Sequence, residues 1–299
     1  MVEVLSVTKK YGDFTAIKDL SFKVGKSSIY GLVGYNGAGK TTLLKTMAGV
    51  LKADGGEIKM FGENVFDNPR VKQRVFYVPD ELYFKFNTNM EKMAKFYRGY
   101  YPKFSMKTFD RLTDLFGLDK TSKINGFSKG MQRQAEMVLG MSTLPDVILL
   151  DESFDGLDPA KRNMTKKLLM EYMAEKECSI VISSHNLHEL ADLCDHIGLI
   201  NGQRIVIDRS VDEISGSRSK FRVIFDREVS RDEFDGIDIK RFSADGKIIN
   251  LTADGDNDIV EEKLRAMSPL IVEKFPLSLE EIFLEEMEGS GYDFTKIFD

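Results

Sequence analysis

The chain contains no tryptophan, two cysteines and three histidines in 299 residues. Cys178 and Cys194 are too few for a disulfide framework or a thiolate metal cluster, so a reducing, cytoplasmic setting without disulfides is expected. His185 and His188 are spaced i, i+3, but no cysteine or carboxylate cluster of ligand spacing accompanies them, which argues against a structural metal pair. No apolar run approaches the roughly 18 residues of a membrane-spanning helix. Met1-Val2-Glu3-Val4 lacks the form of a secretory leader, so none is expected. A net charge of −6 argues against a general nucleic-acid binder. Internal repeats and low-complexity tracts are absent. What remains is a chain with 42% hydrophobic residues, enough for a substantial core and for two domains.

The most informative segment is Gly34-Tyr35-Asn36-Gly37-Ala38-Gly39-Lys40-Thr41, which fits G-x-x-x-x-G-K-[ST]. A short apolar run, Ser28 to Val33, precedes it and reads as a buried strand. Thr42 to Gly49 follows, made of good helix formers closed by a glycine. That flanking pattern matters chemically. Glycines let successive backbone N–H groups turn inward around a phosphate chain, and a helix N-terminus adds a favourable dipole. Lys40 is placed to reach the β- and γ-phosphates and Thr41 to hold Mg²⁺, so a nucleoside triphosphate is the expected ligand. The cradle comprises Gly34 through Thr42.

Asp146-Val147-Ile148-Leu149-Leu150-Asp151-Glu152 reads as a strand buried on both faces of a parallel sheet, ending in two carboxylates. Open α/β sheets place ligands at that end. Asp151 is expected in the Mg²⁺ shell, and Glu152 is expected to orient or deprotonate the attacking water.

Phe127-Ser128-Lys129-Gly130-Met131, read alone, is a helix N-cap. Following a phosphate loop, it resembles the signature of the ATP-binding subunits of ABC transporters, typically L-S-G-G-Q. Ser128 and the second glycine, Gly130, are retained, while Lys129 and Met131 replace the first glycine and the glutamine. The resemblance implies that Ser128 and Gly130 touch the γ-phosphate bound to a partner subunit. Further motifs follow in family order. Asp155-Gly156-Leu157-Asp158-Pro159 looks like the D-loop, with Asp158 as its aspartate. Ser179 to His185 is a strand pattern ending in a residue similar to the switch histidine. Tyr11 matches the aromatic that stacks on adenine, or is an ordinary half-buried turn tyrosine. The strand Val75 to Pro79 puts Asp80 where the family has its Q-loop glutamine, with Glu81 next; a carboxylate there can still hold Mg²⁺ through water.

The implied fold is α/β: a P-loop ABC-type ATPase domain over residues 1–215, with an antiparallel β flank from Val2 to about Val24 and a helical subdomain at about 87–141. The aromatics of that subdomain, Phe96, Tyr97, Tyr100 and Tyr101 among them, read either as core packing or as a groove that receives a helix from another protein. Residues 216–299 show a strand–helix–strand–strand–helix–strand order, which suggests a small ferredoxin-like α+β accessory domain closed by a helix at Ser278–Met287. The resemblance implies an ATPase that uses ATP and Mg²⁺, a homodimer or heterodimer with a similar subunit, and a separate transmembrane permease. It implies a place on the inner face of the membrane and no nucleic-acid partner. The alternative is a non-transport ABC ATPase acting on a ribosome, nucleic acid or protein assembly. One phosphate loop, one signature and no long coiled coil between them favour transport.

Overall fold

The computed structural model describes residues 1–216, 218–277 and 281, and divides into two units, Met1–Asp208 and Arg209–Asp299. The first unit begins β1 (Val2–Tyr11), β2 (Phe14–Val24), β3 (Ile29–Val33), α1 (Lys40–Met47), β4 (Gly55–Met60) and β5 (Glu63–Asn64). It continues α2 (Pro69–Lys72), β6 (Val75–Val78), α3 (Met90–Tyr100), α4 (Met106–Phe116) and α5 (Lys129–Ser142). It closes with β7 (Val147–Asp151), α6 (Pro159–Lys176), β8 (Ser179–Ser184), α7 (Leu187–Ala191), β9 (His196–Asn201) and β10 (Arg204–Ser210).

A six-stranded sheet, ordered β10-β9-β3-β8-β7-β6, forms the centre, with β9, β3, β8, β7 and β6 paired in parallel. Every residue of β3, β7 and β8 is buried, which explains their unbroken apolar sequences. The second sheet is the antiparallel flank β2-β1-β4-β5. Its Val2, Val4 and Val7 face inward with Leu20, Phe22 and Val24, and pack with Leu43, Leu44 and Met47 of α1 in one core. The turn at Gly12 separates β1 from β2 as the composition indicates.

The helical region resolves into α3, α4 and α5. Asn89, Ser105 and Ser128 cap their N-termini, and Gly117 ends α4 in the left-handed conformation. A close approach sets α5 against the sheet: a Cβ on Gly140 would lie 2.3 Å from the Phe76 ring of β6. That contact ties the signature helix to the strand leading to Asp80.

The second unit contains α8 (Val211–Gly216), β11 (Arg218–Ile224), β12 (Asp238–Asp245), β13 (Ile248–Asp254), α9 (Asn257–Ala266) and β14 (Ile271–Pro276). Its sheet is ordered β12-β13-β11-β14, the ferredoxin-like arrangement of strands. The first helix of the expected strand–helix–strand–strand–helix–strand order is only a 3₁₀ turn, Arg231–Glu233, closed by a capping box between Ser230 and Glu233. That segment is too short to propagate an α-helix against the cost of its first turn. Helix α8 packs on β11 and belongs to this unit. The helix expected at Ser278–Met287 falls outside the described residues, apart from Glu281.

Candidate functional site

The phosphate loop connects β3 to α1, and its geometry explains its glycines. Gly37 and Gly39 have φ of 86° and 106°. A Cβ on Gly39 would meet Ile17 Cγ2 at 2.5 Å and the Ala16 carbonyl oxygen at 2.7 Å, so this position admits no side chain. Gly39 is also the N-cap of α1, leaving the first-turn N–H groups without a side-chain partner. Thr41 and Thr42 lie in that first turn. Tyr35 is partly exposed and donates its hydroxyl to Asn201 Oδ1 at 3.1 Å. Tyr11, at the end of β1, is about half exposed, with Lys9 Nζ 5.9 Å from its ring centroid.

Lys40 is 5% exposed. Its ammonium donates to the carbonyls of Gly34 at 2.5 Å and Tyr35 at 3.3 Å, and lies 3.2 Å from Glu152 Oε1. The other Glu152 oxygen lies 3.0 Å from His185 Nδ1. Phosphate loop, strand end and histidine therefore converge on one carboxylate. Glu152 has φ of +45°, a left-handed conformation unusual for a glutamate, at the point where β7 ends. Its buried Oε1 has the Lys40 ammonium as its neighbour, an ion pair at 3.2 Å.

Asp151 is fully buried. Ser183 donates to its Oδ1 at 2.7 Å and the Tyr77 hydroxyl to its Oδ2 at 3.2 Å. Ser183 Oγ also accepts from the Glu152 backbone N–H at 3.1 Å. Burial and the neighbouring Asp151 charge push the Tyr77 phenol well above its usual range, which keeps it a proton donor. Ser183 and Tyr77 were not legible as site residues. The β7–β8 register, with Asp151 opposite Ser183, is what brings the serine in. Asp155 is a further addition: its carboxylate lies with Glu152 and His185 in a group whose ligand atoms are all within 4.8 Å of one another.

The remaining predicted residues have other immediate partners. Ser128 caps α5, accepting from Met131 N at 3.3 Å, and a Cβ on Gly130 would approach the Gly156 carbonyl to 3.0 Å. Asp158 caps α6, accepting from Lys161 N at 3.0 Å. Asp80 is paired with Arg133 of α5 at 2.8 Å. That pair joins the end of β6 to the signature helix, so Asp80 would have to exchange a guanidinium for any metal shell.

A glycine-lined loop, its lysine and paired carboxylates at the strand ends define a P-loop nucleoside-triphosphate hydrolase. The sequence profile of the ABC transporter family matches residues 17–155, across both landmarks. The chain is 28% identical over 292 residues to the ABC transporter ATP-binding protein YtrB of Bacillus subtilis, covering 97% of this chain and 99% of that one. It is 29% identical over 224 residues to the bacitracin transport ATP-binding protein BcrA of Bacillus licheniformis, covering 74% and 73%. A solved ATP-binding subunit of an ABC transporter superimposes with a TM-score of 0.67 at 25% identity, covering 72% of this chain and 91% of that one. The chain belongs to the ABC transporter family as one of its ATP-binding, ATP-hydrolysing subunits. No described helix is long and apolar enough to cross a membrane.

Proposed function

We propose that two ATPase subunits, either identical or similar, close head-to-tail around two ATP molecules. Tyr11 and the loop Gly34 through Thr42 would hold the nucleotide on one subunit, and Ser128 and Gly130 of the other would complete the site, with Asp158 in the adjoining loop. Lys40 would leave Glu152 for the β- and γ-phosphates, freeing the carboxylate to accept a proton from the attacking water while His185 keeps it aimed. The observation carrying this reading is Glu152 held between Lys40 and His185 in a strained left-handed turn.

Mg²⁺ would supply charge neutralisation at the phosphates. Thr41 and Asp151 fit its shell, Asp151 through water because both its oxygens already accept protein hydrogen bonds. Asp80 joins them if it releases Arg133. Hydrolysis split between two chains depends on closure, so ATP binding can perform work before the bond breaks.

A membrane-spanning permease is the partner that receives this work. An aromatic groove of about 380 Å³ in the first unit, lined by Phe96, Tyr97, Tyr100, Tyr101, Pro69 and Lys72, suits an amphipathic helix from it. The subunit would then act on the cytoplasmic face of the membrane, with residues 216–299 as an accessory domain. Affinity purification from detergent-solubilised membranes tests this: a multi-spanning protein should co-purify with the wild-type chain. Recovery of ribosomal or nucleic-acid complexes in its place would overturn the transport assignment.

A further inference from the structure

Helix α7 carries a buried carboxylate, Glu189, that takes no part in the chemistry proposed above. Its Oε2 accepts from the Ser184 hydroxyl at 3.2 Å, and its Oε1 pairs with Arg162 of α6 at 2.8 Å. Ser184 is itself buried at the end of β8, and its Oγ accepts from the Asn186 N–H at 2.9 Å. The Glu189 backbone N–H donates to the Asn186 carbonyl at 3.3 Å. Both residues flanking His185 are therefore held by Glu189, Ser184 through its hydroxyl and Asn186 through its carbonyl. His185 has a different anchor. Its imidazole is half exposed, and its Nδ1 and backbone N–H reach the same oxygen of Glu152, at 3.0 and 3.4 Å. In the proposed reaction that carboxylate releases Lys40 and takes up a proton, so its hold on the ring changes during turnover. A fixed turn beneath the histidine supplies the constancy that Glu152 does not.

Arg162 extends the clamp to a second loop. It lies one turn beyond Asp158, the cap of α6, and its guanidinium also donates to the Leu157 carbonyl at 3.5 Å. Leu157 follows Asp155, whose carboxylate lies beside Glu152 and His185. The Arg162–Glu189 pair thus joins the loop carrying Asp155 to the turn carrying His185. A carboxylate buried this deeply depends on its cation, because removing one partner leaves an uncompensated charge. We infer that Glu189 and Arg162 are positioning residues for ATP hydrolysis, holding the His185 turn and the loop 155–158 in one arrangement. They act on turnover through His185 and leave nucleotide binding alone. This inference rests on the role proposed for His185.

Mutant cycles in the full-length protein test it, with Glu189→Ala, Glu189→Gln and Arg162→Met each made in the wild type and in His185→Ala. In the wild-type background, Glu189→Ala and Arg162→Met should lower kcat by about tenfold while ATP affinity holds. Glu189→Gln keeps an acceptor for Ser184 and should lose less, about threefold. His185→Ala should itself lower kcat by about 10²-fold. In that background the three further substitutions should each change kcat by less than about twofold, because no imidazole is left to position. Should Glu189→Ala fail to fold, Glu189→Gln carries the same cycle with the side-chain shape preserved, and ATP affinity reports the fold of each variant. Losses that multiply in full in the His185→Ala background would make the pair merely structural, overturning the inference while leaving the role of His185 in place. Unchanged kcat in both Glu189→Gln and Arg162→Met would overturn it as well. Wild-type turnover in His185→Ala would remove the histidine from the reaction and the inference with it.

Discussion

Glu136 gives the sharpest quantitative prediction because it is a carboxyl group buried in the middle of a helix. It lies on α5 at 7% exposure, and its Oε1 accepts from the Tyr97 hydroxyl of α3 at 3.1 Å. Burial raises its pKa from 4.5 to about 7, and the Tyr97 hydrogen bond offsets only part of that rise. The folded carboxyl holds its proton more tightly than the unfolded one, so folding takes up a proton between those two values. Stability from this group is complete below pH 4.5 and is lost as pH rises toward and through about 7. The difference, 7 − 4.5, is about 2.5 pK units, or roughly 3 kcal/mol at 1.36 kcal/mol per unit once both states are ionised. Glu136→Gln removes the titration while preserving shape and an acceptor for Tyr97. Calorimetric unfolding should show the variant within about 1 kcal/mol of wild type near pH 5 and roughly 2–3 kcal/mol more stable near pH 8. For a unit of this size that corresponds to about 5–10 °C in Tm. Parallel pH profiles for the two proteins would refute the argument.

Gly39→Ala should weaken ATP binding by at least about tenfold, read by calorimetry, because the new methyl collides with Ile17 and Ala16 at a φ that alanine disfavours. Unchanged affinity would contradict that geometry. Ser183→Ala removes the hydroxyl shared by Asp151 and the Glu152 N–H, and should destabilise the protein by about 1–3 kcal/mol. ATPase turnover should fall about tenfold or more while ATP affinity holds, and unaltered turnover would deny Ser183 a positioning role. Asp158→Ala should cost about 1 kcal/mol through loss of the α6 cap, measured by thermal unfolding.

The central sheet was readable because its chemistry is extreme. Ile29–Val33 and Val147–Asp151 are buried on both faces, so their sequences are apolar without interruption, and each leads directly into a chemical motif. The α3–α5 region was readable from its helical apolar spacing and, for α5, from the Ser128 cap, whereas the caps Asn89 and Ser105 emerged only from the structure. Pairings across long sequence separations were not. Ser183 reaches Asp151 only through β7–β8 register, and Tyr77 only because β6 lies beside β7. Arg133 and Asp80 are brought together by the packing of α5 on β6, which Gly140 permits against Phe76. Glu136 shows the same limit from the other side: a helical glutamate is ordinarily solvated, and only the Tyr97 contact and surrounding burial reveal its different environment. Arg162 and Glu189 are likewise far apart in sequence but paired in the fold.

The central claim is that Glu152 performs the proton chemistry while the phosphate loop binds the nucleotide. Glu152→Gln keeps the shape of the side chain and removes its basicity, so paired measurements of ATP affinity and steady-state hydrolysis separate the two roles. Affinity should stay within about threefold of wild type, hydrolysis should fall by about 10²-fold or more, and a dimer should accumulate with ATP on size-exclusion chromatography. Turnover at the wild-type rate in that variant would contradict the account.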